Sequence, residues 1–168
     1  TVLGGVGLKD RGKEHRARLQ GESSVAAERE GVIKYNLEFK QQPISPRISI
    51  ELLDQWRHVL YNLALIGQDP DRYGGLGFGN ISSRLPGGIC ASDSAFLISG
   101  TQTGHLPYLK RTDVSVVTQC EPRLNRLVAH GECPPSSESL THGVLYNTQQ
   151  TIGAVVHVHC PVIWEAIE

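Results

Sequence analysis

His157 and His159 close an apolar run, Ala154-Val155-Val156-His157-Val158-His159. Side chains of a strand alternate faces with a period of two, so both imidazoles point the same way. Two imidazoles on one strand face, joined by a carboxylate from elsewhere, make a divalent-metal site with a position left open. Such a metal acts as a Lewis acid for carbonyl chemistry. The same pair also reads as structural or solvated histidines, because imidazole packs and hydrogen-bonds without metal. Glu138 is the candidate carboxylate. It either complements the positive end of a helix, a contribution of about 0.3–1 kcal/mol, or it serves beside a metal as ligand or proton-transfer base. His142 lies four residues on and shares a helix face with Glu138. It reads as a packing residue or as support behind the site.

Three loops have the composition of anion cradles. The first is Gly77-Phe78-Gly79-Asn80-Ile81-Ser82, where glycines allow backbone N–H groups close approach to a ligand and Asn80 adds an amide. The second, Ile98-Ser99-Gly100-Thr101-Gln102-Thr103-Gly104, follows a strand and is dense in hydroxyls. The third, Pro135-Ser136-Ser137-Glu138, opens a helix, whose unpaired N–H groups favour a phosphate or carboxylate. Taken singly, each also reads as an ordinary turn or helix cap.

The elements that must position these residues are legible in the pattern. Residues 1 to about 30 are rich in Gly, Lys, Arg and Glu and read as a flexible extension. A helix over 9–29 is the other reading, weakened by Gly12 and Gly21. After a break at Pro43-Ile44-Ser45-Pro46, Leu52, Leu53, Trp56, Val59, Leu60, Leu63 and Ile66 repeat at helical spacing. Ser49 is placed to cap that helix, Gly67 and Pro70 to stop it, and its apolar stripe is expected to lie on a sheet. Strands are expected over 80–85 and 95–99 around a Pro86-Gly87-Gly88 turn, and over 114–120 and 126–130. A short helix is expected over 139–147. A fully apolar strand over 152–159, central in its sheet, leads to a helix opened by Pro161. This order points to α/β layers around a mixed sheet.

A length of 168 residues suits one domain with a real core. The chain is 39% hydrophobic and 20% charged, ordinary for a globular protein. A net charge of -1 argues against nucleic acid or an acidic membrane as partner. The apolar runs are too short to span a bilayer. Residues 1–7 lack the order of a signal peptide, so the cytoplasm is the expected location. Cys90, Cys120, Cys133 and Cys160 fit no metal-knuckle spacing and read as free thiols. Strand alternation would put Cys160 on the face opposite His159. The sequence carries no Met and stops at Glu168 within an opening helix, so further residues are expected after it.

Four motifs occur in one order: Gly77-x-Gly79-Asn80-Ile81-Ser82-x-Arg84, the Ser99-Gly100-Thr101 segment, Pro135-Ser136-Ser137-Glu138 and His157-Val158-His159. Together they resemble the class II aldolase/adducin family, over residues 50–168. Its enzymatic members include fuculose-phosphate aldolase. The resemblance implies a three-layer αβα fold with a central mixed, largely antiparallel sheet. It places the domain at 43–168, after a flexible extension over 1–42. It implies Zn2+, or another divalent metal, held by His157, His159 and a third histidine beyond Glu168. Glu138 would approach the metal and act as acid and base. Gly79, Asn80, Ser99, Gly100, Ser136 and Ser137 would hold a substrate phosphate. The implied activity is an aldolase-type lyase cleaving a small phosphorylated keto-sugar, or a related hydroxy-keto compound, through a metal-stabilised enediolate. Family members also epimerise or dehydrate sugar phosphates, and adducin-like members are non-enzymatic assembly proteins. A homotetramer is the implied assembly. The second loop departs from the Thr-Pro-Ser-Gly of fuculose-phosphate aldolase, so substrate identity does not carry over from that enzyme.

Overall fold

The computed structural model describes residues 33–90 and 92–167. The extension and the alternative helix expected within residues 1–32 lie outside the described residues. Strand β1 spans Asn36–Gln41, and helix α1 spans Glu51–Asn62. Two short strands, β2 (Gly67–Gln68) and β3 (Gly77–Phe78), form a small antiparallel ribbon. There follow β4 (Asn80–Arg84), β5 (Phe96–Ser99), β6 (Val114–Glu121) and β7 (Arg126–Gly131). Helix α2 (Ser139–Thr148), strand β8 (Ala154–His157) and helix α3 (Pro161–Ile167) complete the described chain. No helix of the described residues is long and apolar enough to cross a membrane.

Six strands form one sheet in the order β1-β7-β6-β5-β4-β8. Only the β1 to β7 pairing is parallel, and the other four are antiparallel. The protein is therefore α/β with a mixed sheet. Strand β1 starts before the expected boundary at residue 43, so residues 36–41 belong to the sheet. Its signal is a short alternation in which Leu37 and Phe39 share one face and pack on the core. Charged and polar neighbours (Glu38, Lys40, Gln41, Gln42) mask that signal.

Alternation along the strands builds two apolar clusters. Leu97, Val114 and Val116 pack with Ile81 and with Leu53 of α1. Phe96, Ile98, Leu127 and Ala129 pack with Tyr146 of α2. Ser49 Oγ accepts the Glu51 N–H at 3.3 Å, but the N-cap residue is Ile50, one position later than expected, and no side chain caps the helix. The expected α1 stripe does not all lie on the sheet. Leu53 is buried and Leu60 half-buried, whereas Leu52, Trp56, Val59 and Leu63 are exposed. The inward position one turn after Leu53 is Arg57, which is 1% exposed. Periodicity alone did not decide between two apolar stripes that differ by one residue of rotation.

Strand β8 also differs from expectation. It is an edge strand among the described residues, paired with β4 on one side. It ends at His157, two residues early, because the His159 N–H bonds to the Leu65 carbonyl at 3.0 Å instead of continuing the ladder. Val155 packs on the α2 side while Val156 stays exposed, so the apolar run does not mark burial on both faces.

The segment before β1 reaches the third loop. The buried Tyr35 hydroxyl donates to the Ser136 carbonyl at 2.9 Å. Burial pushes its phenol up to about 12. Tyr35→Phe should lose about 1 kcal/mol, the net worth of one buried hydrogen bond. Urea unfolding checks this: the midpoint should fall while the slope stays unchanged.

Candidate functional site

The three glycine- and serine-rich loops meet. Gly77, Gly79 and Asn80 from the first, residues 100–104 from the second, and Ser136, Ser137 and Glu138 from the third line one cavity of about 30 Å³. A cavity needs roughly 10–15 Å³ on this measure to hold one water, so this one admits a small polar group. Backbone bonds knit the loops together. Gly100 bridges Pro135, the Thr101 N–H donates to the Pro134 carbonyl at 2.9 Å, and the Ser136 N–H donates to the Ser99 carbonyl at 3.1 Å. The loops also need small residues: a Cβ on Gly104 would fall 2.6 Å from the Gly77 Cα. Ser99 is not among the lining residues. It is 2% exposed, and its hydroxyl accepts the Ile81 N–H at 3.3 Å.

The histidine pair lies at a second, larger opening. The rings of His157 and His159 are 4.8 Å apart between centroids and inclined by 50°. With Tyr73, Cys160, Trp164 and others they line an open pocket of about 540 Å³. Cys160 shares this pocket instead of turning away, because β8 ends before it. Tyr73 meets the His159 ring edge-on at 4.6 Å. It does so from a turn in which Tyr73, Gly74 and Gly75 all have positive φ, of 50°, 65° and 77°. Phe78 packs on both rings.

Asn80 joins the two openings. It lines the small cavity, and its side-chain amide lies 3.3 Å from His157 Nδ1. Strand pairing sets this contact, since Asn80 and His157 are direct partners across β4 and β8. The other amide atom, Oδ1, is buried without a hydrogen-bond partner among the described residues. One turn into α2, His142 Nδ1 and the Tyr146 hydroxyl each lie 2.7 Å from Ser82 Oγ. Burial, reinforced by His157, pushes the His142 imidazole down to about 4, so it is neutral at pH 7. His142 thus supports the floor of the site, in line with the packing and supporting reading.

A search against protein families matches the Class II Aldolase and Adducin N-terminal domain over residues 70–164, more than half of the chain. The chain belongs to the class II aldolase and adducin family. No curated protein and no solved structure matches it.

The family match spans all four motifs, yet the described residues bring the aldolase and adducin motif residues together in two groups, not one. Gly79, Asn80, Gly100, Ser136, Ser137 and Glu138 share the small cavity, and His157 and His159 share the larger pocket. No group of three or more His, Cys, Asp or Glu among the described residues is arranged to hold a metal ion. Glu138 is therefore not gathered with the histidines as a ligand. It stands at the N-cap of α2, where Thr141 Oγ1 donates to its Oε2 at 3.3 Å. The donor chemistry of the pair, two imidazole nitrogens, fits two positions of a divalent site.

Two site-shaping residues escaped the motif reading. Arg57 sits in a helix with no motif, and only its one-turn spacing from Leu53 and Leu60 marks it as inward. Tyr73 precedes a Gly-Gly pair, a turn signal that could have flagged it.

Proposed function

We propose that this protein is a metal-dependent lyase of the aldolase type, acting on a small phosphorylated keto-sugar or a related hydroxy-keto compound. The observation that carries this reading is the convergence of three loops and Glu138 on one cavity joined through Asn80 to a histidine pair. His157 and His159 would hold a divalent metal, Zn2+ in the first instance, which supplies Lewis acidity toward a carbonyl. Backbone N–H groups of the three loops, with Asn80, Ser136 and Ser137, would bind the phosphate and so set the register of the reacting carbons. Ser99 would act one step back, holding β4 and the third loop in place. Glu138 would take up and return the proton beside the carbonyl. Epimerisation or dehydration of a sugar phosphate would use the same groups. The three-layer αβα arrangement is supported by apolar clusters that join α1 and α2 to alternate strand positions. A homo-oligomer, a tetramer by resemblance, is supported by the exposed Leu52, Trp56, Val59 and Leu63 on α1. A cytoplasmic location is supported by four free cysteines.

Metal content tests the reading. Elemental analysis should find about one zinc per chain, and His157→Ala should lose it, since one missing ligand of three removes most structural affinity. Lyase activity that survives full metal removal would overturn the proposal. The family that the chain belongs to, of class II aldolases and adducins, also allows a second reading, a non-enzymatic adducin-like assembly protein. Protein that neither carries nor takes up zinc supports that one.

A further inference from the structure

Arg57 is a charge buried in an apolar helix face, 1% exposed. Its Nη2 donates to the carbonyls of Thr103, Gly104 and Leu106 at 3.0, 3.0 and 2.9 Å. Its Nη1 is buried without a hydrogen-bond partner among the described residues. The guanidinium carbon lies 5.4 Å from the Tyr61 ring centroid, and Asp54 adds an attraction while its carboxylate is engaged by the Leu109 N–H at 2.6 Å. Burial accordingly pushes the guanidinium down to about 10, still protonated at pH 7. A buried cation held by carbonyls and a ring, with no carboxylate in contact among the described residues, is costly, and a negative charge placed nearby lowers that cost.

The three acceptors lie in the loop that walls the small cavity, where Thr103 and Gly104 are lining residues. In a trans peptide the carbonyl and the following N–H point in opposite directions. With the Thr103 and Gly104 carbonyls turned to Arg57, the N–H groups of Gly104 and His105 are turned away from it. A loop whose carbonyls are occupied this way offers its positive edge to a neighbouring ligand.

We propose that Arg57 is a positioning residue for the cavity, clamping the second loop from behind and biasing the cavity toward a multiply charged anion such as a phosphate. This rests on the cavity being the phosphate end of the proposed site. Arg57 touches no substrate. It acts through the backbone of residues 103–106 and through its charge.

Two substitutions separate these effects. Arg57→Gln keeps amide donors for the carbonyls and removes the charge, whereas Arg57→Lys keeps the charge and removes the planar fork. The probes are inorganic phosphate and sulfate, titrated calorimetrically into the full chain, with thermal unfolding measured without anion. A unit charge about 10 Å from an anion, at an effective dielectric constant of about 20, changes binding by on the order of tenfold per anion charge. Wild type should bind both anions, Arg57→Gln should bind them at least about tenfold more weakly, and Arg57→Lys should stay within about threefold. Equal binding by wild type and folded Arg57→Gln overturns the role of Arg57 and leaves the cavity as an anion site. No binding by wild type overturns the anion site itself, and the proposal with it. Should Arg57→Gln fail to fold, Arg57→Met, which also removes the charge, decides: binding at least about tenfold weaker upholds the proposal and unchanged binding overturns it.

Discussion

Gly79→Ala should destabilise the protein by about 2–5 kcal/mol, the sum of a left-handed backbone penalty of about 1–2 and an overpacking penalty of about 1–3. Gly79 has φ of 71°, where a Cβ crowds its own backbone. The space is also taken. A Cβ there would fall 2.9 Å from the His157 carbonyl oxygen, 3.1 Å from the Leu65 carbonyl oxygen and 2.8 Å from Ile66 Cγ1. Two of these neighbours are backbone and cannot turn aside as a side chain can. Relief therefore requires β8 to move off β4, which separates Asn80 from His157. Against a typical total stability of roughly 5–15 kcal/mol, such a loss brings a small domain close to unfolding. Chemical denaturation measures the stability, and phosphate titration of the folded fraction reports on the site. A variant as stable as wild type would mean that the first loop does not need this backbone.

Acidification should destabilise the protein through His142. Its imidazole titrates near 6.5 in an unfolded chain and near 4 in the folded one. Between those values the unfolded state binds a proton that the folded state refuses, so stability falls as pH falls. The loss is about 1.4 kcal/mol per pH unit, or about 2 kcal/mol from pH 6.5 to pH 5. About a unit above pH 6.5 both states are neutral at this residue and the slope vanishes. The cause is burial first and His157 second, and the neutral ring is held by Ser82. His130 is shifted in the same direction by partial burial, with Lys40 adding to it, so part of the acid loss belongs there. His142→Gln should lower stability at pH 7 by about 1–3 kcal/mol, since Ser82 loses a buried partner. It should also flatten the decline between pH 6.5 and pH 5. Urea unfolding at pH 7, 6 and 5 checks both, and an unchanged slope in the variant would sink the assignment to His142.

Much of this molecule is local enough to read from residue order. Strands β4 to β7, helix α2 and the start of α3 all lie within a residue or two of their expected positions, whereas α1 ends at Asn62, four residues before the last apolar repeat position at Ile66. Each has a strong periodic run bounded by Pro, Gly or Ser, and such signals arise from backbone sterics and near-neighbour burial. The four motifs likewise suffice to name the family, because they report loop chemistry that needs only short stretches of chain. Strand β1 is the counterexample. Six residues of modest alternation become a strand because β7 offers a parallel partner 90 positions later in register, Asn36 opposite Arg126.

Residue types and spacing alone determine most of the longer elements, their order and the composition of the loops, β1 apart. Tertiary structure alone decides which face of α1 turns inward, because two apolar stripes compete and the sheet accepts the one that brings Arg57 beneath the second loop. It alone places His159 beyond its strand, through a bond to Leu65, and so sets the ring beside His157 and Tyr73. It also parts Glu138 from the histidines and puts Asn80 between them. These outcomes depend on contacts between segments up to a hundred residues apart, whose energies no local pattern contains.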